Sequence, residues 1–128
     1  MDSSFAPDAP AFHPNIQVRL AVGGQLVFGP GTAELLRGIA QYGSIHRACT
    51  EMTLSYSKGR AMLRGIEQQL HLQIVHRTQG GPGGGSAHLT AAGEALLQQF
   101  TDFEAAVQQY AARQFEEDFA FPGQEETP

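Results

Sequence analysis

Basic and hydroxyl side chains cluster between Ser55 and Arg64 of this sequence. The segment runs Ser-Tyr-Ser-Lys-Gly-Arg-Ala-Met-Leu-Arg, so these groups recur within about three helical turns. Such groups donate hydrogen bonds to phosphate oxygens, and lysine or arginine can also pair with guanine O6 and N7 in the major groove. The chemistry that this segment favours is therefore binding to a polyanion, and to DNA in particular.

Two predicted helices position these side chains. Ser44 can cap a helix over residues 45–52, and Ser55 can cap the next one, because a hydroxyl there accepts a hydrogen bond from an unpaired first-turn N–H group. Two helices joined by three or four residues form the geometry that sets the second helix into the major groove. We expect DNA contacts from Arg47, Ser55, Tyr56, Ser57, Lys58, Arg60 and Arg64.

The expected roles within this set differ. N-terminal residues of a recognition helix face base edges, so Lys58 or Arg60 could pair with guanine, whereas Arg64 lies a turn further on and would contact phosphate. Tyr56 could instead pack against the turn between the helices. The alternative for the whole set is that these are ordinary solvated charges on a helix face.

The distribution of charge supports a local anion-binding surface. The net charge is −5, but residues 37–93 carry six lysine or arginine residues against two glutamates. The remaining residues hold two arginines and eleven carboxylates. Because salt screens charges over roughly 8 Å, the local field matters more for phosphate binding than the total.

A glycine-rich loop follows the two helices. Residues 74–78 and 87–89 are predicted strands, and the loop between them includes Gly83 and Gly84. Mononucleotide and dinucleotide loops precede a helix, and here a strand follows, so both are excluded. We expect the wing of a winged helix, with Gly83, Gly84 and the flanking Arg77 near DNA; the alternative is a hairpin end that contacts nothing.

The fold class predicted from these elements is mainly α with small β. Alternating apolar residues over 16–28 predict an N-terminal β-hairpin that buries Leu26 and Phe28. Gly59, Leu63 and Ile66 share the predicted inner face of the third helix, where Gly59 would permit close packing. Gly65 has no evident role. The prediction is a winged helix-turn-helix with an N-terminal β-hairpin and a long C-terminal dimerisation helix.

A long helix over about residues 90–115 carries a heptad-like apolar seam. It includes Phe100, Phe103, Val107 and Tyr110, which we assign to a homodimer interface because a domain this small cannot cover so long a helix. The seam could alternatively be core only. A two-fold dimer would present two recognition helices to successive half-sites.

The amino-acid composition along the chain predicts the domain boundaries and the cellular location of the protein. Residues 1–14 are expected to be a disordered N-terminal arm, residues 15–115 the folded domain, and residues 116–128 an acidic disordered tail. No apolar run approaches the ~20 residues of a membrane span. The N-terminus lacks a signal peptide pattern, so we expect a cytoplasmic protein.

The sequence does not predict a catalytic site or a metal site. The single cysteine, Cys49, cannot form an internal disulfide and is expected to be buried. The five histidines lack metal-site spacing: His13, His46, His71, His76 and His88. No catalytic triad or carboxylate pair can be argued. We expect no enzyme, no catalytic residues, no metal and no cofactor.

Several segments resemble the N-terminal winged-helix domain of the ModE-type molybdate-responsive regulators, which is related to the LysR-type DNA-binding domain. The matching segments are Gly43-Ser-Ile45, Leu54-Ser-Tyr-Ser-Lys58, Val75-His-Arg-Thr78, Gly80-Gly-Pro-Gly-Gly-Gly85 and Leu89-Thr-Ala-Ala-Gly93. The resemblance covers about residues 18–110. It implies a transcriptional regulator with double-stranded DNA as its partner, and a link to molybdenum metabolism.

Two departures limit what the resemblance implies. The family's wing commonly has a lysine where this chain has Pro82, and its members usually carry a C-terminal molybdate-binding module, whereas this sequence stops at Pro128. We therefore expect DNA binding to carry over better than molybdate sensing. An alternative from another class is an interaction protein that does not bind DNA and forms a heterodimer with a full-length ModE-type regulator through its long helix.

Overall fold

A computed structural model describes residues 11–78 and 85–120 of the 128-residue chain. The elements in chain order are β1 (Leu20–Val22), β2 (Gln25–Phe28), α1 (Pro30–Tyr42), α2 (Ile45–Glu51), α3 (Tyr56–Leu70), β3 (Val75–Thr78), β4 (Ser86–Leu89) and α4 (Ala91–Asp118). The winged helix-turn-helix fold and the N-terminal hairpin expected from the sequence are confirmed.

The chain divides into two compact units. The first, which we call the helix-turn-helix unit, is Gln17–Ala105. The second, which we call the terminal unit, is Met1–Ile16 with Ala106–Pro128, of which the structure describes residues 11–16 and 106–120.

Serine caps begin the two central helices, as the sequence predicted. The Ser44 hydroxyl accepts a hydrogen bond from the Arg47 N–H at 3.0 Å, and the Ser55 hydroxyl accepts one from the Lys58 N–H at 3.2 Å. Each cap satisfies an N–H group that has no partner within its helix. These two caps set where α2 and α3 start.

The core of the helix-turn-helix unit is formed by side chains from β2, α1, α2, α3 and the first half of α4. Its largest fully buried side chains are Phe100, Leu35, Leu36, Ile39, Ile66, Ile74 and Cys49. Gly59 of α3 faces Cys49 so closely that the sulfur atom would overlap a Cβ atom at Gly59. The predicted role of Gly59 in close packing is therefore confirmed.

The wing is a two-stranded antiparallel hairpin held by polar contacts. Val75 pairs with Leu89 and Arg77 with Ala87. The Glu67 carboxylate accepts hydrogen bonds from the N–H of Ile74 at 2.9 Å and of Val75 at 3.3 Å, so it fixes the path from α3 into β3.

Thr90 joins the wing to α4. Its hydroxyl donates to the Gln73 carbonyl oxygen at 2.6 Å and accepts from the Gly93 N–H at 3.0 Å. A Cβ atom at Gly93 would overlap the carbonyl oxygen of Ile74, so only glycine fits at this crossing. The helix continues to Asp118, three residues beyond the expected end.

The N-terminal hairpin differs from its predicted pattern. Leu26 was expected to be buried with Phe28, but it is 65% exposed, whereas Phe28 is buried. Leu20 pairs with Phe28 and Ala21 pairs with Leu26, so the register is irregular between them. Such an irregularity interrupts the alternation of side chains between the two faces of β2. The prediction that Leu26 is buried was wrong for this reason.

Phe100 requires a correction to the predicted dimer interface. Its side chain is only 2% exposed, and its ring lies 5.0 Å from that of Phe28 in the core of the helix-turn-helix unit. A buried ring cannot contribute surface to a partner, so Phe100 does not belong to the seam. Phe103, three residues further on, is 53% exposed.

The terminal unit contains an aromatic cluster. The ring of Phe12 lies 5.2 Å from that of Phe115 and 6.1 Å from that of Phe119. The Gln108 side chain donates to the Ile16 carbonyl oxygen at 2.7 Å. The expected arm, domain and tail boundaries stay predictions. Within residues 11–78 and 85–120, no helix is long and apolar enough to cross a membrane.

Candidate nucleic-acid interface

The exposed surface of α3 has a central ridge and two flanks. The buried face carries Gly59, Leu63 and Ile66. On the opposite side lies an exposed row made of Ser57, Ala61, Arg64 and Gln68, spaced four, three and four residues apart, which we call the α3 ridge. Its flanks face α2 on one side and β2 on the other.

Tyr56 organises the flank that faces α2. Its ring lies 5.4 Å from that of His46 on α2, and its hydroxyl accepts a hydrogen bond from the Arg60 guanidinium at 3.2 Å. The Arg60 guanidinium carbon lies 5.7 Å from the centre of the same ring. Tyr56 therefore packs against α2 and also restrains Arg60, while it stays 41% exposed.

Arg47 on α2 is restrained in a similar way. Its guanidinium carbon lies 4.6 Å above the ring of Tyr42, the last residue of α1. A cation held over an aromatic face is attracted by about 0.5–1 kcal/mol at an exposed site. The contact orients Arg47 without neutralising its charge.

A groove separates α3 from the N-terminal hairpin. Its volume is about 340 Å³, and its lining includes Arg19, Leu26, Lys58, Gly65 and Gln69 but no carboxylate. A Cβ atom at Gly65 would meet nothing within 4 Å, so packing does not require a glycine at this position of the groove.

Arg19 was missed by sequence reasoning. It precedes β1 by one residue and is 39 positions from Lys58 in the sequence, yet both residues line the groove. No local pattern could indicate this proximity, because it depends on packing of β2 against α3. A hydrogen bond of 3.3 Å between the side chains of Gln69 and Gln25 links the same two elements.

Ser55 and Ser57 have different roles. The Ser55 hydroxyl oxygen accepts the capping hydrogen bond from Lys58, whereas Ser57 is exposed on the α3 ridge. Ser55 is thus the N-cap residue that precedes α3, whereas Ser57 lies within the helix and its hydroxyl is exposed.

Of the three DNA-contacting residues predicted in the wing, one lies within the described residues. Arg77 is exposed on β3, whereas Gly83 and Gly84 lie outside the described residues. Directly opposite each other on the exposed face, His76 and His88 have ring centres 5.1 Å apart. Their separation of twelve residues hid this pair from a search for local metal-site spacing.

The electrostatic setting leaves the cations of α2 and α3 available to an anion. Across residues 11–78 and 85–120, Arg47, Lys58, Arg60 and Arg64 form no ion pair with a carboxylate. Burial raises the pKa of the Cys49 thiol, so this group is neutral and unreactive in the core. In the same described ranges, no group of three or more potential ligands could hold a metal ion.

Comparison with known proteins finds a family and several regulators that resemble the helix-turn-helix region. Residues 32–94 match the family described as bacterial regulatory helix-turn-helix protein, lysR family. Over 98 residues the chain is 34% identical to the DNA-binding transcriptional dual regulator ModE of Escherichia coli. These 98 residues are 77% of this chain and 37% of that protein.

Two further relatives show the same partial coverage. The chain is 34% identical to the transcriptional regulator ModE of Yersinia pestis over 87 residues, which are 68% of this chain and 33% of that one. It is 35% identical to the molybdenum-pterin-binding protein MopB of Rhodobacter capsulatus over 79 residues, which are 62% of this chain and 29% of that one. The chain thus spans about a third of the length of these relatives.

Proposed function

Because residues 32–94 match the LysR-type helix-turn-helix family and the chain is similar to the ModE regulators, we propose that it is a sequence-specific DNA-binding transcriptional regulator. The observation that carries the proposal is the unpaired cationic surface of α2 and α3. Lysine and arginine side chains that neutralise phosphates release counterions, and this release supplies a large share of the affinity for DNA.

The arrangement of the cations supports a groove-binding helix. Arg47 and Arg60 are each held against a tyrosine ring, so they lose less conformational freedom on binding than free side chains would. Lys58 and Arg64 are exposed on the same helix. In the helix-turn-helix geometry this helix is the one that enters the major groove.

Homodimerisation through α4 is part of the proposal. In the helix-turn-helix unit Phe103 is 53% exposed, and in the terminal unit Tyr110 is 60% exposed. Large apolar side chains that are exposed seven residues apart on one helix favour association with another helix. A second copy of the chain would cover such residues and would supply a second recognition helix for a palindromic site.

A link to molybdenum metabolism is the narrowest part of the proposal. It is supported by similarity to a relative described as molybdenum-pterin-binding, of which the chain covers 29%. Mapping the DNA sites that the protein occupies in cells would test it. Sites upstream of genes for molybdenum uptake or molybdenum cofactor synthesis are expected, and sites confined to unrelated genes would contradict the link.

The experiment that tests DNA binding is a salt titration of affinity for the protein's own upstream DNA and for a scrambled duplex of equal length. If a dimer neutralises about eight phosphates, log K should fall with log salt at a slope near −7. The upstream duplex should bind ~10³-fold more tightly or better. Equal weak binding to both duplexes would refute a sequence-specific regulator.

Two double variants separate DNA binding from association. Lys58→Ala with Arg60→Ala should abolish DNA binding and leave the oligomeric state unchanged. Phe103→Asp with Val107→Asp should produce a monomer in analytical ultracentrifugation. A wild-type protein that is dimeric but does not bind DNA would instead favour a partner role, in which the chain pairs with a full-length ModE-type regulator.

A further inference from the structure

The three-sided surface of α3 assigns base recognition and phosphate binding to different residues from those that the sequence favoured. We infer that Arg64 on the α3 ridge contacts base edges, while Arg19 and Lys58 in the hairpin groove hold phosphates of one DNA strand. This inference rests on the proposed function and deepens it.

The dimensions of the major groove set the roles. The groove is about 12 Å wide, and a helix with its side chains is about 10–12 Å across, so the helix fills it. The side of the helix opposite the protein core then faces the base edges, and its two flanks face the sugar-phosphate strands. In α3 the side opposite the core is the α3 ridge.

Arg64 is the cation of this ridge. It is exposed, and its side chain forms no hydrogen bond, ion pair or ring contact within residues 11–78 and 85–120. Its planar guanidinium can donate two parallel hydrogen bonds to guanine O6 and N7. The neighbouring Gln68 can make a similar bidentate contact with adenine N6 and N7.

Lys58 and Arg60 lie on the flanks instead. Lys58 lines the groove against the hairpin, and the Tyr56 hydroxyl restrains Arg60 on the side of α2. Lys58 is rotated by about 120° from Arg64 around the helix axis, since each residue turns an α-helix by about 100°. Arg60 is rotated by only about 40° from Arg64, but its hydrogen bond to the Tyr56 hydroxyl holds the guanidinium on the side of α2. They are therefore suited to the two phosphate strands that border the major groove.

Arg19 brings a second element to the interface. It lines the same groove as Lys58, and that lining contains no carboxylate that would compete for the cations. Two cations that face one narrow groove attract an anionic strand more strongly than either would alone. The N-terminal hairpin thus serves as a phosphate-binding element beside the recognition helix.

The test compares two alanine variants with a matched control in the salt titration on both duplexes. Arg64→Ala should lower the affinity for the upstream duplex, for each half-site, about 5- to 150-fold more than that for the scrambled one. Arg19→Ala should weaken both duplexes equally and reduce the magnitude of the salt slope by about 2 for a dimer. Arg113→Ala removes the same charge from an exposed position in the terminal unit and should change neither quantity.

The outcomes separate this assignment from the proposed function. An unchanged discrimination ratio for Arg64→Ala, or an unchanged salt slope for Arg19→Ala, would overturn the assignment while wild-type discrimination still supported the regulator. A wild-type protein that does not discriminate between the duplexes would overturn both. A loss of discrimination in Arg19→Ala would show that the hairpin contributes to base recognition, against the assignment.

Discussion

Gly59 on α3 lies against the Sγ atom of Cys49 on α2, with no room for a Cβ atom between them. This contact sets the distance between the two helices of the DNA-binding motif. Any side chain at position 59 must push α3 away from α2 or displace the buried thiol.

Gly59→Ala is expected to destabilise the protein by about 1–3 kcal/mol, since overpacking outweighs the ~1 kcal/mol that alanine contributes to an exposed helix position. Urea denaturation measures the change. Gly65→Ala on the same helix is the matched control, because its Cβ would meet nothing within 4 Å, and it should stabilise by about 0.5–1 kcal/mol. Equal effects of the two substitutions would contradict the close contact, whereas restored stability in Gly59→Ala with Cys49→Ala would support it.

Thr53 in the turn between α2 and α3 has a φ of 57°, in the left-handed region. This conformation costs a β-branched residue about 1–2 kcal/mol and costs glycine almost nothing. Thr53→Gly should therefore raise the free energy of unfolding by about 1 kcal/mol in a thermal melt. Thr50→Gly, one turn earlier inside α2, should lower it, because it removes a side-chain hydrogen bond of 3.0 Å to the His46 carbonyl oxygen. A destabilised Thr53→Gly variant would show that the turn is not strained.

Cys49 should make stability depend on pH above neutrality. Burial raises the pKa of this thiol, so the folded state holds the proton more tightly than the unfolded state does. The stability that results is present below the pKa of the unfolded thiol, about 8.5, and is lost as the pH rises above it. Urea melts from pH 7 to 10 should show a steeper alkaline loss for the wild type than for Cys49→Ala. Parallel pH profiles would contradict the prediction.

The phenol of Tyr56 should affect DNA affinity without changing its salt dependence. Tyr56→Phe removes the hydrogen bond to Arg60 and keeps the ring contact with His46. Without this bond Arg60 must be ordered on binding, which costs about 0.5–1.5 kcal/mol per side chain, so we expect affinity to fall by about 2- to 12-fold per half-site on both duplexes. The salt slope should stay the same because no charge is lost. Arg60→Ala should reduce that slope, and a reduced slope in Tyr56→Phe would exclude a purely orienting role.

Phe100 and Phe103 should respond in opposite ways to truncation. Phe100→Ala removes a ring packed 5.0 Å from Phe28 in the core and should cost about 3–5 kcal/mol of stability. Phe103→Ala removes an exposed ring and should leave monomer stability nearly unchanged while it weakens self-association. Thermal melts and sedimentation equilibrium measure the two effects. Unaltered association in Phe103→Ala would argue against a dimer seam on α4.

Local chemistry was enough to predict much of the fold. The caps at Ser44 and Ser55 depend on residues three positions away, and the buried row of Gly59, Leu63 and Ile66 depends on helical spacing alone. Because these interactions are short in sequence, their signals are visible in the sequence itself. From such signals we could predict the order of the helices, the wing and the candidate DNA-binding residues of α3.

Contacts between distant segments decided the rest. A register irregularity leaves Leu26 exposed, and the ring of Phe100 packs against that of Phe28 in the core. Packing of β2 against α3 places Arg19 and Lys58 in the lining of one groove. Sequence spacing defines which side of a helix a residue occupies, but not which neighbour covers that side. The sequence by itself determined that α3 has an exposed basic surface, and only the tertiary structure decided which of its cations lie on the ridge and which on the flanks.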